Sequence, residues 1–311
     1  MRVRLTVIAP VQRYSARAMP LPPARRFALL CGTLIALGTT GVALAGCSLS
    51  KTTGSDEMTI KVTRDFGAED FIDLRHERVP KPPGLAEILQ RYPTTRHKES
   101  LFVNGILARE DAADLTVHGG DRVWLDQHNT NVTEVIPAVV GAFPEPFIHG
   151  IGGKRLPVRV ECDDPRSGPC AAVAEKLVGL GVVAGRSIIS RSAADESLRI
   201  LVGPWKRLRG RDLESDSIDK GPQSSGVYAR FDASGGSLAV LDPGGGVAKT
   251  LGAGTGFIAA TAEPERQPVW FVSGTDAAGV AAAARAFDES VLADRFALAI
   301  SHDLPVAVPQ P

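Results

Sequence analysis

The chain has 311 residues, with 35 basic and 35 acidic side chains and 44% hydrophobic residues. The balance is uneven along it: residues 1–46 hold six arginines and no acid, so the remainder carries 29 basic against 35 acidic residues, a net charge of −6. An acidic folded part excludes nucleic acid as a partner, and its about 265 residues suffice for one large or two modest domains.

The amino-terminal stretch places Arg2, Arg4, Arg13, Arg17, Arg25 and Arg26 before an apolar run from Phe27 to Leu44. A basic step followed by a hydrophobic run is the anatomy of an export signal. The run alone is also long enough for a short membrane helix. The next residues separate the two readings: Leu44-Ala45-Gly46-Cys47 resembles the lipobox of bacterial lipoprotein signals, and Lys51 is the single basic residue between Ser48 and Thr59. The resemblance implies cleavage before Cys47, a diacylglycerol on its thiol, and a folded part held on the outer face of the membrane. Met19 offers an internal start that gives a signal of ordinary length, Met19 to Gly46. Residues 47–57 read as a polar tether.

From residue 58 the pattern predicts a small mixed domain. Met58 to Thr63 alternates as a strand, and Phe71 to Val79 is its charged hairpin partner. Lys81-Pro82-Pro83-Gly84 breaks the strand, and Leu85, Ile88 and Leu89 fall on one face of a short helix over 84–91. Leu101 to Val103 is a third strand ending in the Asn104-Gly105 turn signal. Leu115 to Val117 and Arg122 to Leu125 are expected to pair as a hairpin around His118-Gly119-Gly120-Asp121. Strand, strand, helix, strand, strand is the order of a β-grasp.

Val103-Asn104-Gly105, followed after a spacer by Gly120-Asp121-Arg122-Val123-Trp124, resembles the end of the transcobalamin-like C-terminal domain, a β-grasp module found on bacterial surface lipoproteins. Thr63-Arg64-Asp65-Phe66-Gly67 resembles that domain's first-strand exit. The likeness spans about 70 residues and rests on motifs that also recur for plain turn reasons. It implies a ligand-binding module, with a cobalamin-like compound as the ligand its relatives suggest. The chain departs from the pattern where relatives carry an aromatic stretch before the Asn-Gly turn. Here the charged run Thr94-Thr95-Arg96-His97-Lys98-Glu99-Ser100 stands instead.

Asp126 to Val135 is polar and marks the boundary, with the first domain taken as 58–128 and the second as 136–303. Ile136 to Gly150 lacks periodicity and is expected to wrap one domain against the other. In the second domain Leu156 to Glu161, Leu198 to Val202, Val227 to Phe231, Ser237 to Leu241, Val247 to Leu251, Val269 to Val272 and Phe296 to Ile300 read as strands. Ala171 to Leu180 reads as a helix, and Thr275-Asp276 caps an alanine-rich helix to Phe287. Residues 206–220 are dense in charge and read as a surface segment, and 304–311 as a disordered tail. Phe143-Pro144-Glu145-Pro146-Phe147 and Ser273-Gly274-Thr275-Asp276-Ala277-Ala278-Gly279-Val280 resemble full-length actinobacterial lipoproteins that carry the same β-grasp domain. The expected fold class is α+β, a small β-grasp-like domain followed by a mixed α/β domain.

Once Cys31 leaves with the signal and Cys47 is lipidated, Cys162 and Cys170 remain. An even pair in an oxidising compartment predicts a disulfide. Its rival, a two-thiol metal site, lacks a neighbouring histidine, and zinc takes four ligands.

Chemistry-bearing motifs are sparse. Gly-rich segments at 244–250 and 252–256 miss the phosphate-loop and dinucleotide patterns and read as a hairpin turn and close backbone packing. No G-x-S-x-G or H-E-x-x-H is present. The expectation is therefore a non-enzymatic protein with no cofactor and no metal. The most informative polar cluster is Asp126-Gln127-His128-Asn129 beside Trp124, at the inferred junction, where clefts favour ligands. Its alternative is a solvated linker with one core tryptophan. The candidate ligand-binding residues are Asn104, Asp121, Trp124, Asp126 and His128. A small molecule and a membrane transporter are the expected partners, with an envelope scaffold for a protein or cell-wall polymer as the rival role and an uncharacterised extracytoplasmic enzyme as the third.

Overall fold

The computed structural model describes residues 56–82, 84–91, 98–129, 132, 135–190 and 196–310. The expected export signal, Cys47, the expected tether up to residue 55, residues 94–97 of the charged run and Pro311 lie outside the described residues.

The first half is built from five strands and a helix. β1 (Glu57–Arg64) alternates, burying Met58, Ile60 and Val62 on one face, each side chain contributing about 1.5–3 kcal/mol. A turn through Asp65, Phe66 and Gly67, all at positive φ, returns the chain as β2 (Glu69–Arg78). α1 (Gly84–Leu89) lays Leu85, Ile88 and Leu89 onto the same apolar layer. β3 (Lys98–Val103) turns at Asn104-Gly105 into β4 (Ile106–Leu107), and β5 (Arg122–His128) inserts parallel to β1 and antiparallel to β3. The sheet order is β2-β1-β5-β3-β4. The expected hairpin between Leu115–Val117 and β5 does not form. Both edges of β5 are already taken, by β1 and β3, so Leu115 and Val117 pack as loop residues against the α1 layer instead.

The segment after β5 wraps the two halves together, as its lack of periodicity predicts. Leu107 donates its amide to Pro137, Val139 donates to Gly105, and Val140 donates to Phe296. These bonds tie β4 to the rest of the chain, and residues Thr52–Pro311 fall into one compact unit rather than two.

The second half opens with β6 (Val158–Cys162), α2 (Gly168–Gly179), β7 (Ala184–Ile188) and β8 (Leu198–Pro204). Then come α3 (Trp205–Leu208), α4 (Leu213–Lys220) and α5 (Pro222–Ser225). A meander comes next, β9 (Ala229–Phe231), β10 (Leu238–Leu241) and β11 (Val247–Leu251), which forms its own three-stranded sheet. The chain closes with β12 (Gly256–Thr261), β13 (Val269–Gly274), α6 (Ala277–Ala286), α7 (Glu289–Leu292), β14 (Ala297–Ser301) and β15 (Leu304–Val308). The large sheet runs β15-β14-β12-β13-β8-β6-β7, parallel from β13 to β7 and antiparallel from β13 to β15.

Alternation along the buried strands divides the core. Ile200, Val202, Ile258, Trp270 and Val272 face α2 and α6, while Leu201, Phe257, Ala259, Val269 and Phe271 face the meander, α3, α4 and the first sheet. α6 sits close on its strands because Gly279 has no side chain: a Cβ there would lie 2.2 Å from the carbonyl oxygen of Thr255. The α+β class holds, and Cys162 and Cys170 form the expected disulfide, with Cα atoms 6.1 Å apart.

Two further expectations are corrected. Residues 206–220 are a surface segment only on one side: Lys206, Arg207, Arg211 and Lys220 are exposed, but Asp212 and Ser215 close a capping box at the start of α4, and Glu214, Ser215 and Ile218 are buried. Residues 304–310 of the expected disordered tail are ordered: Leu304–Val308 extends the sheet as β15, Val306 and Val308 alternate inward, and the Gln310 amide donates to Leu241.

Candidate functional site

The five-stranded sheet is covered on both faces, which explains the fate of the polar cluster on β5. Val123 and Leu125 face α1, so Trp124, Asp126 and His128 face the second half. Asp126 is fully buried. Its carboxylate accepts from the amides of Phe66 at 3.2 Å and Gly67 at 2.9 Å and from the Thr63 hydroxyl, and lies 2.7 Å from His128 Nδ1. Thr63 Oγ1 in turn accepts from Trp124 Nε1 at 2.7 Å. The His128 ring stacks on Phe66 with centroids 4.3 Å apart, and Phe296 reaches edge-on to Phe66, Phe102, Trp124 and His128. The network holds the left-handed Asp65-Phe66-Gly67 turn and welds the halves; it spends its hydrogen bonds internally.

Asn104 and Asp121 form a second lock, where the β3–β4 turn meets the start of β5. Asn104 Nδ2 donates to Asp121 Oδ1 at 2.8 Å and to the Gly150 carbonyl at 2.9 Å, and its Oδ1 accepts from the Arg122 amide. Asp121 Oδ2 accepts from the His118 amide at 2.7 Å. The loops at 118–121 and 149–153 interlock through their rings. A Cβ on Gly120 would lie 2.5 Å from His149 Nε2, and one on Gly153 would lie 2.6 Å from His118 Nε2. His149 Nδ1 is 2.6 Å from Glu145 Oε1, and its amide donates to the other carboxylate oxygen. Burial pushes the Glu145 carboxyl above its ordinary range, against the pull of His149 and Arg122.

Beside this lock runs a groove of about 640 Å³ between the two halves. One wall comes from Ile106, Leu107, Leu115 and Thr116, with Asn104 and Asp121 at its base, and the other from Pro137, Ile151 and the Ala262–Arg266 turn. Arg266 is fixed by Glu214, its Nε 3.0 Å from the Glu214 carboxylate, and the Ser217 hydroxyl donates to Glu263. Burial raises the Glu214 carboxyl above its usual range; neighbouring Asp212 pushes the same way, and Arg266 and Arg199 oppose. A lining that mixes apolar side chains such as Ile106, Leu107, Leu115 and Ile151 with the charged Arg109, Glu110, Glu263, Glu265 and Arg266 suits a compact ligand with an apolar body and polar ends.

Of the five candidate residues, Asn104 and Asp121 reach the groove, with their side-chain oxygens already occupied. Trp124 borders a smaller cavity of about 120 Å³ near Lys61 and Asp294. Asp126 and His128 line neither and belong to the weld. The sequence reading missed Arg109, Glu263, Glu265 and Arg266; the signal for the last three was the charged Glu263-Pro264-Glu265-Arg266 turn after β12. Among the described residues no group of three or more His, Cys, Asp or Glu side chains is placed to hold a metal ion. No family model, curated protein or solved structure matches the chain.

Proposed function

We propose that this chain is a lipid-anchored extracytoplasmic binding protein, non-enzymatic, that captures a small molecule in the groove between its β-grasp-like sheet and its α/β half, near a membrane transporter. The observation that carries the reading is the groove itself. At about 640 Å³ it lies within the range of small-molecule sites, roughly 300–1,000 Å³, and both halves contribute walls. The sheet order and the parallel β1–β5 pair support the β-grasp reading, and through it the resemblance to ligand-binding surface modules.

The ligand half is tested on protein extracted from native membranes and analysed for released small molecules by mass spectrometry. A compound recovered in near-equimolar amount from the natural chain and lost from Thr116→Trp, an exposed position on the groove wall, is the expected result. Equal recovery from both, or none from the natural chain, sinks the capture reading. Cyanocobalamin added to the same preparations, followed by its visible absorbance, tests the cobalamin-like class.

Location has its own measurement. The natural chain should partition into the membrane fraction and shift in mass by a diacylglycerol, and Cys47→Ala should accumulate uncut and unlipidated. A Cys47→Ala chain processed and anchored as before would overturn the lipid anchor.

A second reading, an envelope scaffold, draws on one observation. Val178, Val183 and Ile188 are 59%, 91% and 69% exposed around the free edge of β7, where a partner's strand would find unpaired backbone.

A further inference from the structure

A second cleft, of about 390 Å³, lies where the end of α4, the α5 turn, β9 and the β10–β11 turn meet. Lys220, Gln223, Arg230, Gly244 and Gly245 line it, and among the described residues no carboxylate does. That is unusual in a chain whose exported part carries net negative charge. Several other cations are neutralised where they stand: Arg199 by Glu161 and Asp212, Arg209 by Asp219, Arg122 by Glu289, Arg285 by Asp303.

Lys220 and Arg230 make no ion pair and no side-chain hydrogen bond with the described residues. The carboxylates nearest them in sequence are committed elsewhere. Asp219 accepts from Arg209 and from Trp205 Nε1, Asp232 accepts from the Ser234 hydroxyl and the Gly236 amide, and Asp242 accepts from the Gly246 amide. The Arg230 guanidinium is held against the Gly221 turn, which adopts φ +97°; a Cβ there would meet Nη2 at 3.8 Å. The amide of Gly244 donates to no described acceptor. The cleft thus gathers an ammonium, a guanidinium, a carboxamide and a free backbone amide; the Asp242 carboxylate lies behind the Gly244–Gly246 turn, bonded to the Gly246 amide, and does not line the cleft.

We propose that this cleft binds the oxyanion of a phosphate group, either free phosphate or the phosphodiester of an anionic lipid headgroup. Phosphate fits better than carboxylate because its several oxygens satisfy a planar guanidinium fork and a separate ammonium at once. The site is distinct from the groove, and its residues are none of those assigned to capture.

The test is isothermal titration calorimetry on the full chain in a non-ionic detergent, with inorganic phosphate, glycerophosphoglycerol and acetate as probes. Inorganic phosphate or the diester should bind, acetate should bind more weakly, and added salt should weaken the complex. Lys220→Gln combined with Arg230→Gln should lose affinity at least roughly tenfold, as should Gln223→Glu, which sets a carboxylate into the cleft from an exposed position. Binding of inorganic phosphate but not the diester assigns the site to free phosphate; the reverse assigns it to the headgroup. No heat with either probe at millimolar concentration, acetate binding as tightly, or unchanged affinity in both variants would overturn the proposal.

Discussion

Asp126→Ala should lower the unfolding free energy by about 3–5 kcal/mol, because it removes the acceptor for one buried and one half-buried amide and one hydroxyl and leaves His128 without its partner. The turn it holds has Asp65 at φ 51° and Phe66 at φ 61°, conformations that non-glycine residues keep only when surrounding bonds impose them. Asp126→Asn keeps one acceptor oxygen and should lose roughly half as much. Urea unfolding followed by tryptophan fluorescence measures both, with the midpoint moving and the slope preserved. A loss below about 1 kcal/mol in Asp126→Ala would refute the structural role and return this aspartate to the ligand site. Because Asp126 lies away from the groove, Asp126→Asn should retain the compound recovered from the natural chain.

Phe296→Ala should cost about 3–5 kcal/mol. Its ring, 4% exposed, sits just before β14 and lies 5.1–5.6 Å from the rings of Phe66, Phe102, Trp124 and His128. Through these four rings it is the main aromatic contact between the second half and the first sheet. Truncation opens a cavity at the weld rather than inside either half, so hydrogen exchange should rise together in β5 and β14. Loss of protection in one strand alone would show two independently folding domains, and a cost near that of a surface substitution would show that the halves are held elsewhere.

Both predictions rest on a misjudged feature of the sequence. Asp126-Gln127-His128 looks like a solvated exit from a sheet because polar runs after a strand usually are. It is buried because the opposite face of β5 is covered by residues far along the chain, with Phe296 at their centre. Nothing local to β5 announces that cover. Leu304–Val308 repeats the lesson: Leu304-Pro305-Val306 looks like a proline-rich tail, yet the free edge of β14 accepts it as a strand. Strands β7 and β12 were missed for related reasons, since Ala184–Ile188 is largely exposed and Gly256–Thr261 is buried on both faces, so neither shows a clear two-residue alternation.

Elsewhere local chemistry carried through. Alternation placed β1, and three apolar positions placed α1. The Asn104-Gly105 turn joined β3 to β4, Asp276 capped α6, and an even cysteine pair across a short turn-forming loop formed its disulfide. The want of periodicity at 136–150 marked a segment of local turns that also bonds to the β3–β4 hairpin and to Phe296 through Pro137, Val139 and Val140.

The α+β class, the main strands and helices and the 162–170 bridge were therefore written into short stretches of chain, because periodicity, capping and cysteine count act over a few residues. Long-range packing was needed for the rest: that one apolar cluster spans both halves, that Asp126 and His128 are buried against it, and that the groove and the basic cleft are assembled from distant turns. Burial and charge pairing depend on which faces meet, and that is settled only when the sheets pack.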